Sequence, residues 1–152
     1  RGYRSRRSSR HMRYYEATSD IAASPESVWA VLVDGTNWTS WDSGVEGLDG
    51  RIAPGETITI RSHAAPGRAF PVKVVIVEAP TRLQFSGGMP LGLFRGIRTY
   101  TLSPNASGGT TFHLREEYTG PLVGLMWRSM PDLSASFTTF ANGLKQRVEA
   151  GI

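Results

Sequence analysis

The chain has no cysteine, which removes disulfides, thiolate metal sites and thiol nucleophiles from the chemistry open to it. Histidine is almost as scarce: His11, His63 and His113 are scattered without the spacing of a metal-binding set, so no metal site is expected. No apolar run approaches the ~20 residues needed to span a bilayer, and no charged start followed by an apolar stretch reads as a signal peptide. The expectation is a soluble, cytoplasmic protein without a membrane span. A Ser-His-Asp series, a phosphate loop and a dinucleotide fingerprint are also missing, and Gly87-Gly88 and Gly108-Gly109 lack the strand-then-helix context that phosphate binding needs. No nucleotide or other cofactor is expected.

The formal charge of +4 would suit a polyanion if it were spread over the chain, but Arg1, Arg4, Arg6, Arg7, Arg10 and Arg13 carry it, and the remainder holds 11 basic side chains against 13 acidic. A nucleic-acid partner is therefore not expected. Residues 1–12 have almost no apolar content and end in His11-Met12, as a cloning junction does; they read as a tag remnant or a disordered basic arm. Residues 13–152 read as a single domain, long enough to bury about two-thirds of its unfolded surface and to enclose a pocket besides.

What is present begins with alternation. Tyr15, Ala17, Ser19 and Ile21 alternate with Glu16, Thr18 and Asp20, which predicts a half-buried first strand. Ser24 is a good N-cap, Pro25 suits the first helical position and Glu26 the first turn, so a helix starts there and stops after about two turns at Asp34-Gly35. Thr36 to Trp41 reads as a second short helix. Six further strands follow over 45–48, 56–61, 72–78, 83–86, 96–102 and 110–118, separated by Gly, Pro, Asp and Asn turns. Strands joined by short turns are antiparallel. Pro131 and Asp132 then open a long amphipathic helix in which Leu133, Phe137, Phe140, Ala141, Leu144 and Val148 recur at spacings of three and four. The expected class is α+β, a curved antiparallel sheet of about seven strands around a long C-terminal helix, with two short helices after the first strand. Such a sheet leaves a space between itself and the helix.

The capped start Ala23-Ser24-Pro25-Glu26-Ser27-Val28-Trp29 followed by Trp38, Trp41 and Asp42 resembles the START-like superfamily, also called SRPBCC, and within it the polyketide cyclase/dehydrase and lipid-transport group. Gly109 to Phe112 leading into Glu116 to Leu122, and the closing run Phe137 to Lys145, carry the rest of the resemblance, which extends from Tyr15 to Glu149. None of these is a catalytic signature. The resemblance implies the helix-grip architecture and an internal cavity for a small or medium hydrophobic molecule such as a lipid, polyketide or aromatic compound. Behind that binding function stand, as alternatives, a polyketide cyclase or dehydratase acting in that cavity without metal or nucleotide, and an interaction protein like the chaperone-activating branch, with a collapsed cavity. A monomer or homodimer fits all three.

Strand parity and helix period nominate the lining. Phe85, Phe94, Tyr100, Phe112 and Tyr118 come from the strands and their loops, Met130, Leu133 and Phe137 from the C-terminal helix and the residues leading to it, and Trp38 and Trp41 from the segment after the first helix. On the strand 110–118, Glu116 shares the inward face with Phe112, Leu114 and Tyr118. Pairing across the 103–109 turn sets Tyr100 opposite Phe112 and Arg98 opposite Leu114, with Arg98 diagonal to Glu116. A buried carboxylate beside a guanidinium reads as a structural ion pair, as polar anchors for a ligand's carbonyl or hydroxyl, or as a general acid/base. The loop Gly87 to Phe94 is unusually apolar and reads either as a lid or as a segment whose Leu91, Leu93 and Phe94 fold onto the last helix.

Overall fold

A computed structural model describes residues 13–151; the tag or arm expected over 1–12 lies outside the described residues. Seven antiparallel strands form one sheet in the order β1-β7-β6-β5-β4-β3-β2: β1 Arg13–Ile21, β2 Val45–Asp49, β3 Thr57–Ser62, β4 Phe70–Glu78, β5 Arg82–Gly88, β6 Arg95–Pro104 and β7 Thr110–Thr119. Bulges between Val45 and Gly47 and between Val74 and Ile76 bend the strands that carry them.

Helix α1 spans Pro25–Leu32, and the Ser24 hydroxyl accepts a hydrogen bond from the Ser27 N–H at 3.2 Å, satisfying one of the unpaired donors of the first turn. The second short helix is a 3-10 turn over Gly35–Ser40. It delivers Trp38 into the core, fully buried, with its Nε1 donating to the Leu32 carbonyl at 3.0 Å. Around that ring pack Phe85, Tyr100 and Phe140, with centroids 6.4, 6.1 and 4.9 Å away. This end of the sheet is filled by packed side chains.

Three features differ from the sequence reading. The register between β6 and β7 is offset by two residues: Tyr100 faces Leu114, Leu102 faces Phe112, and Arg98 faces Glu116 directly. The strands run out to Pro104 and Thr110 before turning, so the hairpin loop is Asn105 to Gly109, organised by the Asn105 side chain, which accepts from the Ser107 and Gly109 N–H groups. A shift of two preserves the face of every side chain, whereas a shift of one would have reversed it. Second, the apolar stretch between β7 and the C-terminal helix, to which the sequence reading assigns no element, forms a short helix, α2 Val123–Ser129. Third, the C-terminal helix α3 covers Ser134–Ala150 and begins after Asp132. Met130 is held extended by the proline that follows it, and the Asp132 carboxylate accepts from the Ser134 N–H at 2.9 Å, acting from just outside the helix.

Candidate ligand-binding cavity

Between the concave face of the sheet and α3 lies a cavity of about 410 Å³ at the end away from Trp38. Its floor is apolar, with Ile60, Val72, Phe85 and Leu114 from the sheet and Leu133 and Phe137 from α3 and its entry. The space exists because side chains are missing where the sheet would otherwise fill it. Gly87 on β5 pairs directly with Gly96 on β6, both facing inward, while Ser43, Gly44, Ser62 and Ser136 are small around the rest of the wall. The opening is framed by 64–70, by the end of β5, and by Met126, Ser129 and Met130 of α2 and its exit.

One charged pair stands in this wall. Both the Nε and Nη2 of Arg98 donate to the same Glu116 oxygen, Oε2, at 3.2 and 2.7 Å, and the Tyr118 hydroxyl donates to it as well at 2.9 Å. Side-chain exposure is 26% for Arg98 and 15% for Glu116, so both reach the cavity without being open to bulk water. Glu116 Oε1 receives no hydrogen bond among the described residues, and the Arg98 guanidinium lies beside the enclosed Tyr100 hydroxyl. The Phe137 ring lies under the guanidinium, 4.8 Å from its Cζ. Burial works against the charge on Arg98, but the Glu116 carboxylate outweighs it and raises the guanidinium pKa still further. For Tyr118, burial and the same carboxylate both push the phenol upward, so it stays a hydrogen-bond donor. Burial pushes Tyr100 upward against the opposing pull of the neighbouring Arg98, and its fully enclosed hydroxyl makes no well-formed hydrogen bond among the described residues.

The carboxylate fits only because Gly96 has no side chain: a Cβ there would stand 2.7 Å from Glu116 Oε1. The wall thus offers a free carboxylate oxygen beside a guanidinium on an apolar surface, an arrangement that can orient a hydroxyl.

Of the residues nominated from sequence, the structure brings Phe85, Phe94, Arg98, Glu116, Tyr118, Met130, Leu133 and Phe137 to the cavity wall. Trp38, Tyr100 and Phe112 sit instead in the filled end of the core, and Trp41 packs edge-on against Phe140 at 5.2 Å. Parity places a side chain on the inner face without saying which end of that face is covered by α1 and the 3-10 turn. Gly87, Gly96, Ser62 and Ser136 were not nominated; the inward parity of two neighbouring glycines was the available signal. The apolar loop neither folds onto α3 nor lies free: Phe94 stacks on Tyr118 at 5.8 Å, the Leu93 carbonyl accepts from the Leu122 N–H at 3.0 Å, and Leu91 projects into solvent.

A helix-grip sheet closed by a C-terminal helix, with a cavity between them, defines the class. Residues 12–149 match the family described as polyketide cyclase / dehydrase and lipid transport, and the chain belongs to that family. Among solved structures, the Zhui aromatase/cyclase from Streptomyces sp. R1128 aligns over 91% of this chain and 94% of its own at 15% identity and a TM-score of 0.69. A START superfamily protein from Mycobacterium smegmatis aligns over 91% and 99% at 14% identity and a TM-score of 0.65. DynU16, from the dynemicin biosynthetic locus, aligns at 20% identity and a TM-score of 0.65 over 91% of this chain, which spans about half (48%) of that protein. At these identities the likeness is one of fold. No curated protein matches the sequence. No helix among the described residues is long and apolar enough to cross a membrane.

Proposed function

We propose that the protein binds a small or medium, largely apolar molecule between sheet and α3, and that Arg98 and Glu116 orient its one polar group. The observation that carries this reading is an open cavity of about 410 Å³, within the range of small-molecule sites, whose largely apolar wall contains one ion pair with a free carboxylate oxygen. Aromatic compounds, lipids and polyketides of that size share the chemistry. Phe85, Phe94, Tyr118, Met130, Leu133 and Phe137 supply the apolar contacts. Titration with the neutral fluorophore N-phenyl-1-naphthylamine tests it: wild type takes up the probe in the micromolar range, and Ser136→Trp, which places an indole in the cavity, abolishes uptake while the fold is retained. Equal uptake by both would refute the site.

A second reading, a cyclase or dehydratase acting in the same cavity, is favoured by one observation: Glu116 Oε1 is free to exchange a proton with a bound hydroxyl while Oε2 is held by Arg98 and Tyr118. Loss of turnover in Glu116→Gln with probe binding retained supports it; retained turnover removes Glu116 from the chemistry. The reading as a partner-binding domain with a collapsed cavity draws no support from a cavity this size. We keep the expectation of a cytoplasmic monomer or homodimer, and place no nucleic acid among its partners.

A further inference from the structure

Three segments frame the cavity opening and its flank, 62–73, 87–98 and 119–131, and they contain no aspartate or glutamate. They hold Arg68, Lys73, Arg95, Arg98 and Arg128. Apart from Arg98, none of these has a carboxylate partner among the described residues; elsewhere Arg51, Arg61, Arg82, Arg115 and Lys145 each hold one, and Arg13 and Arg147 show none. The 13 acidic side chains of the chain all lie outside these three segments. The segments themselves are purely basic, with Glu46 reaching His63 at 3.0 Å and Asp132 at the border of the third as the nearest acidic side chains in contact or in sequence.

The same segments carry four of the large apolar side chains that the fold leaves in solvent: Phe70, Met89, Leu91 and Leu125. Leu91 is 95% exposed and Leu125 68%. Leu91 sits at φ +63 between Pro90 and Gly92, a backbone conformation uncommon for leucine, and nothing in the fold receives its side chain. The hydrogen bond from Leu122 N–H to the Leu93 carbonyl holds this tip beside the start of α2, so Leu91 and Leu125 belong to one surface. A shallow groove of about 300 Å³, lined by Lys73, Met89 and Arg95, shares Pro71, Val72, Gly87 and Gly88 with the cavity wall and makes the rim continuous.

We propose that this rim docks on an anionic lipid surface. Each apolar tip has a cation a few residues away: Phe70 with Arg68 and Lys73, Met89 and Leu91 with Arg95, Leu125 with Arg128. A bilayer meets that pairing at two depths, anionic headgroups for the cations and hydrocarbon below for the apolar side chains. A protein partner asks for a different layout, a contiguous apolar centre ringed by polar groups, and here the apolar residues stand on three separate projections. Docked this way, the opening of the cavity faces the bilayer. The inference does not depend on what the cavity holds.

Vesicle flotation tests it, using the full chain with phosphatidylcholine vesicles and with phosphatidylcholine–phosphatidylserine vesicles. Wild type floats with the mixed vesicles and not with phosphatidylcholine alone. Leu91→Ser with Leu125→Ser lowers the partition coefficient by roughly tenfold, and Lys73→Gln with Arg95→Gln by about fivefold per cation removed. All four side chains are exposed, so these variants keep the fold, and every chain carries the same residues 1–12, so the differences isolate the rim. Absence of flotation by wild type overturns the proposal, as does unchanged flotation in both double variants. Binding of polyglutamate by a wild type that ignores vesicles would assign the rim to an acidic polypeptide and overturn the lipid assignment too. Because naphthylamine uptake is read without vesicles, failure of the cavity and failure of the rim are separately visible.

Discussion

At the scale of single residues, the cavity's polar chemistry rests on one carboxylate and one missing side chain. Glu116 satisfies Arg98 and Tyr118 with one oxygen and keeps the other free because Gly96 leaves it room. Gly96→Ala is predicted to displace the carboxylate and to destabilise the protein by about 1–3 kcal/mol, measured by urea unfolding, with probe affinity reduced. Glu116→Ala removes the charge partner of Arg98 without removing Arg98; a loss of about 2–3 kcal/mol is expected, with Glu116→Gln milder because it retains an acceptor. On the outer face, a hydrogen bond from His113, opposed by slight burial and aided by Arg115, holds the Glu16 carboxyl below its usual value of 4.5. A group with a lowered folded-state pKa stabilises above its unfolded pKa, and the contribution is lost as pH falls through the folded value. Glu16→Gln should therefore be less stable than wild type at neutral pH, and the difference should vanish on acidification below the carboxylate range.

Among elements, α3 approaches the segment before β2 so closely that Gly143 leaves no room for a side chain. A side chain at Gly143 would overlap the Asp42 carbonyl, and Ser19 of β1 donates to the Ala141 carbonyl at 2.9 Å. Gly143→Ala is predicted to cost about 2 kcal/mol by forcing α3 off the 41–43 turn, detected as a lowered urea midpoint with unchanged slope. Much of this level was legible in the sequence, since period two assigned Glu116, Leu114 and Arg98 to the inner face and period three-to-four assigned Phe137 and Phe140 to the buried side of α3. What escaped has physical causes. The β6–β7 offset depends on where a hairpin closes, a choice made by the Asn105 side chain within its loop. Helix α2 has no side-chain cap and no fully buried residue, so its sequence carries neither a start signal nor a clean stripe. The division of the inner face into a filled end and a hollow end depends on α1 and the 3-10 turn covering one end and not the other, which no strand reports about itself.

For the whole molecule, the account comes down to a hollow kept open. Packing at the Trp38 end and paired glycines at the other give a fold that is filled on one side and hollow on the other, and its opening lies within a rim of cations and exposed apolar tips. Native mass spectrometry after incubation with an organic extract of lipids and aromatic metabolites tests the central claim most directly. The account predicts that wild type acquires a non-covalent mass on the order of a few hundred daltons, matching a cavity of this class, and that Ser136→Trp remains bare. A wild type that stays bare, or a Ser136→Trp variant that acquires the same mass, would contradict it.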